Sequence, residues 1–244
     1  MKLDILAIGA HPDDVELSCS GTLAKEQASG KRTGILDLTR GELGTRGSAK
    51  IREREAEKAG EVLKLSMRQN LEFSDGFFIN NTASKLEVIK VLRKYRPEIV
   101  LCNAVDDRHI DHPKGSKLVS EACFLSGLEK IETTCQGNCQ QKWRPKHVLH
   151  YIQWKELQPD IIVDISGFMD NKVESVKAYS SQFHNEKSKE PTTPISSSNF
   201  LDSVTYRARN LGRLSGVEFA EGFVMERSPS VDSIFDLIRN KNLL

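Results

Sequence analysis

The sequence predicts an α/β fold, a Rossmann-like, mostly parallel sheet with helices on both faces and an active site at the carboxyl ends of the strands. Three observations predict it. Short runs apolar on both faces recur, such as "DILAIG" (4–9) and "EIVLCNA" (98–104), the pattern of strands buried in a parallel sheet. Helix-forming stretches alternate with them through the first half, as right-handed crossovers require. Two unusually polar segments, 11–14 and 106–115, come straight after such runs. In open sheets of this kind, sites form just beyond the carboxyl ends of the strands.

The elements follow in order. Residues 4–9 form the first strand, and "SGTLAKEQASG" (20–30) a helix closed by Gly30. "TGILDL" (33–38) is the second strand, followed by a long glycine-rich loop, "TRGELGTRGS" (39–48). "SAKIREREAEKAGEVLKL" is an amphipathic helix opened by Ser48 and laced with opposite charges at helical spacing. "NLEF" is a weaker third strand, and "ASKLEVIKVLRKYRP" a helix stopped before Pro97. The strand 98–104 leads into "DDRHIDHPKG", and a helix runs from 116 to 127. Beyond it, "KHVLHYIQW" and "DIIVDIS" read as strands, and "MDNKVESVKAYSSQF" and "FLDSVTYRARNLGRLSG" as helices. The polar stretch 185–199 between those helices is a loop or a lid, and "SVDSIFDLIRN" a short terminal helix. No repeat and no linker divides the chain, so one domain is expected over 1–244.

Composition excludes several classes. The 244 residues carry 35 Lys and Arg against 34 Asp and Glu, so nothing argues for nucleic acid or an anionic membrane. No apolar stretch approaches the roughly 18 residues of a membrane span. "MKLDILAIGA" lacks a basic region before a long apolar run and reads as a strand, not a leader. Five cysteines (Cys19, Cys102, Cys123, Cys135 and Cys139) fit reduced thiols and a cytoplasmic location. Cys135 and Cys139 lack two further ligands nearby in sequence, apart from His147 and His150, so free thiols are expected there.

The chemistry gathers in the two polar segments. His11 and Asp14 stand at His-x-x-Asp spacing on the first turn; His109, Asp111 and His112 stand on the second. Two histidines and a carboxylate are the ligands of many catalytic zinc sites, with a fourth position left to water. Asp13, beside a ligand but not needed by the metal, is the candidate general base. The second turn has one more histidine than zinc requires, and spacing does not say which of the two binds. The other is free to act as an acid or to stabilise an oxyanion, with Asp111 placed to orient His109 and raise its pKa. Either motif alone passes for a polar turn; together they supply a complete ligand set.

"GAHPDDVELSCSGTLA" resembles the opening motif of the PIG-L/LmbE-like zinc-dependent N-acetylglucosamine deacetylases. "RHIDHPKG" resembles that family's second motif, "TRGELGTRGS…REREAEKAG" its glycine-rich loop and helix, and "GVEFAEGF" (216–223) its C-terminal signature. The "DIIVDIS…AYSSQF" stretch is most similar to the bacillithiol-pathway branch, which deacetylates N-acetylglucosaminyl malate. The resemblance implies His11, Asp14 and His112 as ligands of zinc, with iron(II) as the alternative metal. It implies Asp13 as general base, His109 as the oxyanion-stabilising or acid residue with Asp111 behind it, and Arg54 and Asp75 as contacts to sugar hydroxyls. It also implies a small-molecule N-acetylated sugar conjugate as partner and a homotrimeric or homohexameric assembly.

Overall fold

A computed structural model describes residues 1–183 and 190–237. His184, the first part of the expected lid and the end of the expected terminal helix lie outside the described residues.

Seven strands form one sheet. β1 (Ile5–Gly9), β2 (Thr33–Thr39), β3 (Met67–Phe73) and β4 (Ile99–Cys102) alternate with α1 (Asp14–Ala28), α2 (Ala49–Val62) and α3 (Thr82–Tyr95). After α4 (Asp111–Ser126) comes a separate small hairpin, β5 (Thr134–Cys135) with β6 (Asn138–Cys139). Then follow β7 (His147–Tyr151), β8 (Ile161–Asp164), α5 (Met169–Lys177), α6 (Phe200–Ser215) and β9 (Ala220–Met225). The order across the sheet is β3-β2-β1-β4-β7-β9-β8. β1 pairs parallel with β2 and with β4, and β7 parallel with β4; β9 runs antiparallel to both β7 and β8. The chain order reverses between β1 and β4, so the carboxyl ends of those two strands flank a crevice.

Alternation along the strands builds two cores. Leu6, Ile8, Leu36 and Leu38 pack on one face with Val88, Leu92, Leu118 and Val119 of α3 and α4. Ile5, Ala7 and Ile35 pack on the other with Val15, Cys19 and Leu23 of α1. β1 is buried on both faces, which is why its sequence reads as an unbroken apolar run. Ser48 caps α2 through a bond from the Ile51 amide, and Asn81 caps α3 from the Ser84 amide.

The structure departs from expectation at four places. α1 begins at Asp14 and not near residue 20, so the first polar turn is itself a helix start. α4 likewise begins at Asp111. Their first turns are polar because the side chains face a crevice and not a core, so apolar periodicity starts late. The "AEGFVM" segment is a strand inserted between β7 and β8, which no local pattern marks because its neighbours come from far along the chain. Among the described residues, the terminal segment forms a short, exposed 3-10 turn over Ile234–Leu237.

Candidate metal centre and active site

The turn after β1 is the first half of the site. Gly9 lets the turn close tightly, because a Cβ there would press on the His11 carbonyl at 3.1 Å and the Asp14 side chain at 3.2 Å. Asp13 sits at φ 107°, ψ −22°, a strained conformation for a residue with a side chain. The turn after β4 is the second half, and it enters α4 at Asp111.

The two halves meet around Asp14. His112 Nε2 lies 3.1 Å from Asp14 Oδ1, and His11 Nδ1 lies 3.5 Å from Asp14 Oδ2. One ring nitrogen from each of His11, His109 and His112 lies within 4.8 Å of the other two. Asp14 is further held by the Asn103 and Gln153 side-chain amides, each at 3.0 Å. Burial opposes ionisation of Asp14, but His112 and His11 outweigh it and hold its pKa well below the usual range. Burial equally opposes protonation of the two imidazoles. Asp111, Asp14 and Asp75 nevertheless raise the His11 pKa well above normal, and Asp14 and Asp107 raise that of His112 to about 9.

This donor set fits a divalent cation. Imidazole nitrogens of His11 and His112 converge on the Asp14 carboxylate, the nitrogen and oxygen donor types of a divalent-cation site. A second group, His11, Asp75 and Asp111, also brings its ligand atoms within 4.8 Å. There the Asp111 oxygens are already engaged by the Gly76 amide at 2.7 Å and the Lys114 ammonium at 2.7 Å. Asp75 takes the Leu43 amide at 2.9 Å and lies 3.0 Å from His11 Nε2. Asp75 and Asp111 thus both lie against His11 Nε2 and fix the orientation of that ring.

Asp13 lines the same cavity but turns away from Asp14, to Arg52 Nη2 at 3.2 Å. Burial pushes its pKa up to about 7, against the pull of Arg52. His109 lies edge-on to His11, with ring centroids 4.6 Å apart. Its Nδ1 accepts the Asp111 backbone amide at 3.2 Å, which leaves Nε2 to carry the hydrogen of a neutral ring.

Three expectations need correction. The Asp111 carboxylate does not stand behind His109; it faces His11, Gly76 and Lys114. The His109 pKa is lowered, by burial and then by the charge on His11 and His112, and not raised. Arg54 points to solvent and does not line the cavity, whereas Arg52 is buried and does. Positions two apart on a helix face opposite sides, and the buried stripe of α2 runs through Arg52, Glu55, Ala56 and Ala59. That stripe was the available signal.

Sequence reasoning also missed Asp107, whose Oδ2 lies 2.5 Å from His112 Nδ1 and which stands in "DDRHIDH" five residues earlier. Asn103 and Gln153 follow strands that become neighbours only in the sheet, and no local pattern marks them. Of the glycine-rich loop, Glu42 accepts the Asp75 amide and Arg46 is buried in the cavity wall, while Arg40 is exposed beside Glu72. All five cysteines are free, and Cys135 and Cys139 join no group able to hold a metal among the described residues. No helix among the described residues is long and apolar enough to cross a membrane.

The cavity over the cluster measures about 1060 Å3 and extends from the two motifs to α6. Comparison with known proteins agrees with this geometry. The PIG-L family model, described as GlcNAc-PI de-N-acetylase, matches residues 6–123, the stretch that carries both motifs. The diacetylchitobiose deacetylase of Thermococcus kodakarensis is 28% identical over 228 residues, which cover 89% of this chain and 81% of that protein. Among solved structures, the conserved protein TT1542 of Thermus thermophilus is 35% identical, with a TM-score of 0.83 over 94% of this chain and 98% of its own. The N,N'-diacetylchitobiose deacetylase of Pyrococcus horikoshii, at 23% identity, shares the fold with a TM-score of 0.78 over 96% and 88%. The sheet, the paired motifs and these relatives together place the chain in the PIG-L/LmbE-like deacetylase family, whose members are metal-dependent amide hydrolases.

Proposed function

We propose that this protein removes the N-acetyl group from an N-acetylglucosamine conjugate, with His11, Asp14 and His112 holding zinc, or iron(II) in its place. The observation that carries the reading is the division of labour on one turn. Asp14 faces the two imidazoles while Asp13, its neighbour, faces the cavity and Arg52. A metal bound to that set polarises an acetyl carbonyl and acidifies water. Asp13 is the base that takes the proton of the attacking water, and its burial suits it to hold that proton until the amine leaves. His109, as a neutral ring, donates a hydrogen bond to the developing oxyanion. Arg52 and Asp75 meet the sugar hydroxyls; Asp75 keeps free lone pairs for this while it holds His11.

The conjugate proposed first is N-acetylglucosaminyl malate, on the strength of the "DIIVDIS…AYSSQF" resemblance. Diacetylchitobiose is the second reading, favoured by the relative from Thermococcus kodakarensis. Acetate release from both, beside free N-acetylglucosamine and with or without a chelator, decides between them. Metal-dependent release from at least one conjugate is expected, and Asp13→Asn is expected to lose turnover while retaining zinc. No release from any substrate overturns the deacetylase reading; loss of zinc from the Asp13 variant overturns the ligand assignment. The chain is further proposed to work as a homotrimer or homohexamer, and sedimentation as a 27.4 kDa particle would exclude that.

A further inference from the structure

The C-terminal signature "GVEFAEGF" does not supply a group to the metal cluster, yet its Glu221 is among the most buried charges in the protein. Its partners explain why. α1 is broken at Cys19, whose φ of −140° and ψ of 16° are not helical. In an unbroken helix the Gly21 amide would bond to the Leu17 carbonyl. Here the Gly21 and Thr22 amides donate instead to Glu221 Oε1 and Oε2, at 3.0 and 2.7 Å. On the other side of the break, Lys172 Nζ donates to the Glu16 and Leu17 carbonyls at 3.2 and 2.9 Å and to Glu221 Oε1 at 2.7 Å. The Leu17 carbonyl also accepts from Arg207 Nη2 at 3.0 Å. Arg207 bonds in turn to the carbonyl of Gln153, whose side chain holds Asp14.

We propose that Glu221 and Lys172, joined by Arg207, are positioning residues that splice the break in α1 and so set the direction in which its first turn presents Asp14 to the metal. The inference rests on the metal reading given above. Three facts carry it. First, the break at Cys19 falls between the turn that bears Asp14 and the rest of α1, and the backbone groups on its two sides find their partners in Glu221 and Lys172. Second, both charges of the pair are about 2% exposed. A buried ion pair is a poor source of stability against an apolar replacement, so its presence here calls for another reason, and the broken backbone supplies one. Third, Gly21 leaves room for the splice, since a Cβ there would meet Glu221 Oε1 at 3.1 Å and Ile165 Cδ1 at 2.7 Å.

The test measures zinc affinity by competition with a fluorescent chelator, and kcat and KM separately, in Lys172→Met, Glu221→Gln and Gly21→Ala. Gly21→Ala disturbs the splice while leaving both charges in place, and it serves if the charge variants do not fold. Ile89→Ala, which opens the core on the opposite face of the sheet, is the control for general loss of stability. The expected result is a loss of zinc affinity of about tenfold or more in the splice variants, the range seen when groups behind a metal ligand are removed. A fall in kcat should accompany it with little change in KM, and the control should bind zinc as the wild type does at a comparable loss of Tm. If the splice variants bind zinc as tightly as the wild type, or lose no more than the control, the pair is only structural and the inference fails. If the wild-type protein binds no zinc, the metal reading itself fails and takes the inference with it.

Discussion

Arg52 and Arg54 show how much a single residue's direction decides. Both stand in the charge-rich helix α2, yet Arg52 turns inward to Asp13 and to the carbonyls of Gly41 and Pro12, while Arg54 meets only solvent. Arg52→Ala is therefore expected to lower kcat/KM about a hundredfold, because it leaves the proposed base Asp13 without the positive charge that positions it, and a positioned general base contributes at least about that factor. Arg54→Ala should change it by less than twofold. Steady-state rates of the two variants on the same conjugate check this, and equal losses would return the sugar contact to Arg54. Asp13 is the other residue whose role rests on direction. Its positive φ turns its carboxyl away from Asp14, although the two are adjacent in the chain.

At the scale of elements, a buried charge network joins β2, β3, α1 and α5. Arg68 on β3 forks onto both oxygens of Asp37 on β2, at 2.8 and 3.0 Å, reaches Glu16 on α1 at 2.5 Å and Tyr179 just beyond α5 at 2.8 Å. Removing the guanidinium leaves the carboxylates of Asp37 and Glu16 without this compensation in the interior. Arg68→Met is expected to destabilise the fold by about 3–5 kcal/mol. Denaturant titration reads that loss, and a change below about 1 kcal/mol would show that the network contributes little. The first turns of α1 carry Glu16 of this network as well as Asp14 of the cluster, so stability and site geometry share that element. The helices themselves were legible, since capping residues and apolar periodicity are local. The early starts of α1 and α4 were not, because first turns that face a crevice lose the apolar pattern that marks a helix.

For the whole molecule, the charge cluster makes the metal-free protein sensitive to pH in both directions. Asp107 and Asp111 have depressed pKa values: burial raises them, but His112 for Asp107 and His11 and Lys114 for Asp111 outweigh it. A depressed carboxyl stabilises the fold above its unfolded pKa of about 4, and that contribution is lost as pH falls through the folded value. His112 is raised to about 9, so its contribution is complete below the unfolded value of about 6.5 and disappears as pH rises through 9. The Tm of chelator-treated protein is therefore expected to peak between about pH 4 and 6.5. Saturating zinc should flatten the alkaline side, because metal binding takes the deprotonated ring. A Tm that is level from about pH 5 to 9 without metal would contradict the cluster geometry. The sequence by itself determined the strand and helix alternation, the crevice position of both polar segments and the residue types of a metal hydrolase, because those depend on local pattern and on the rule that sites form at strand ends. Only the tertiary structure decided which arginine reaches the site, that Asp111 faces His11 and not His109, and that Asp107, Asn103 and Gln153 hold the cluster. Those roles depend on which strands become neighbours and which way each side chain leaves its element, and neither is written in adjacent residues.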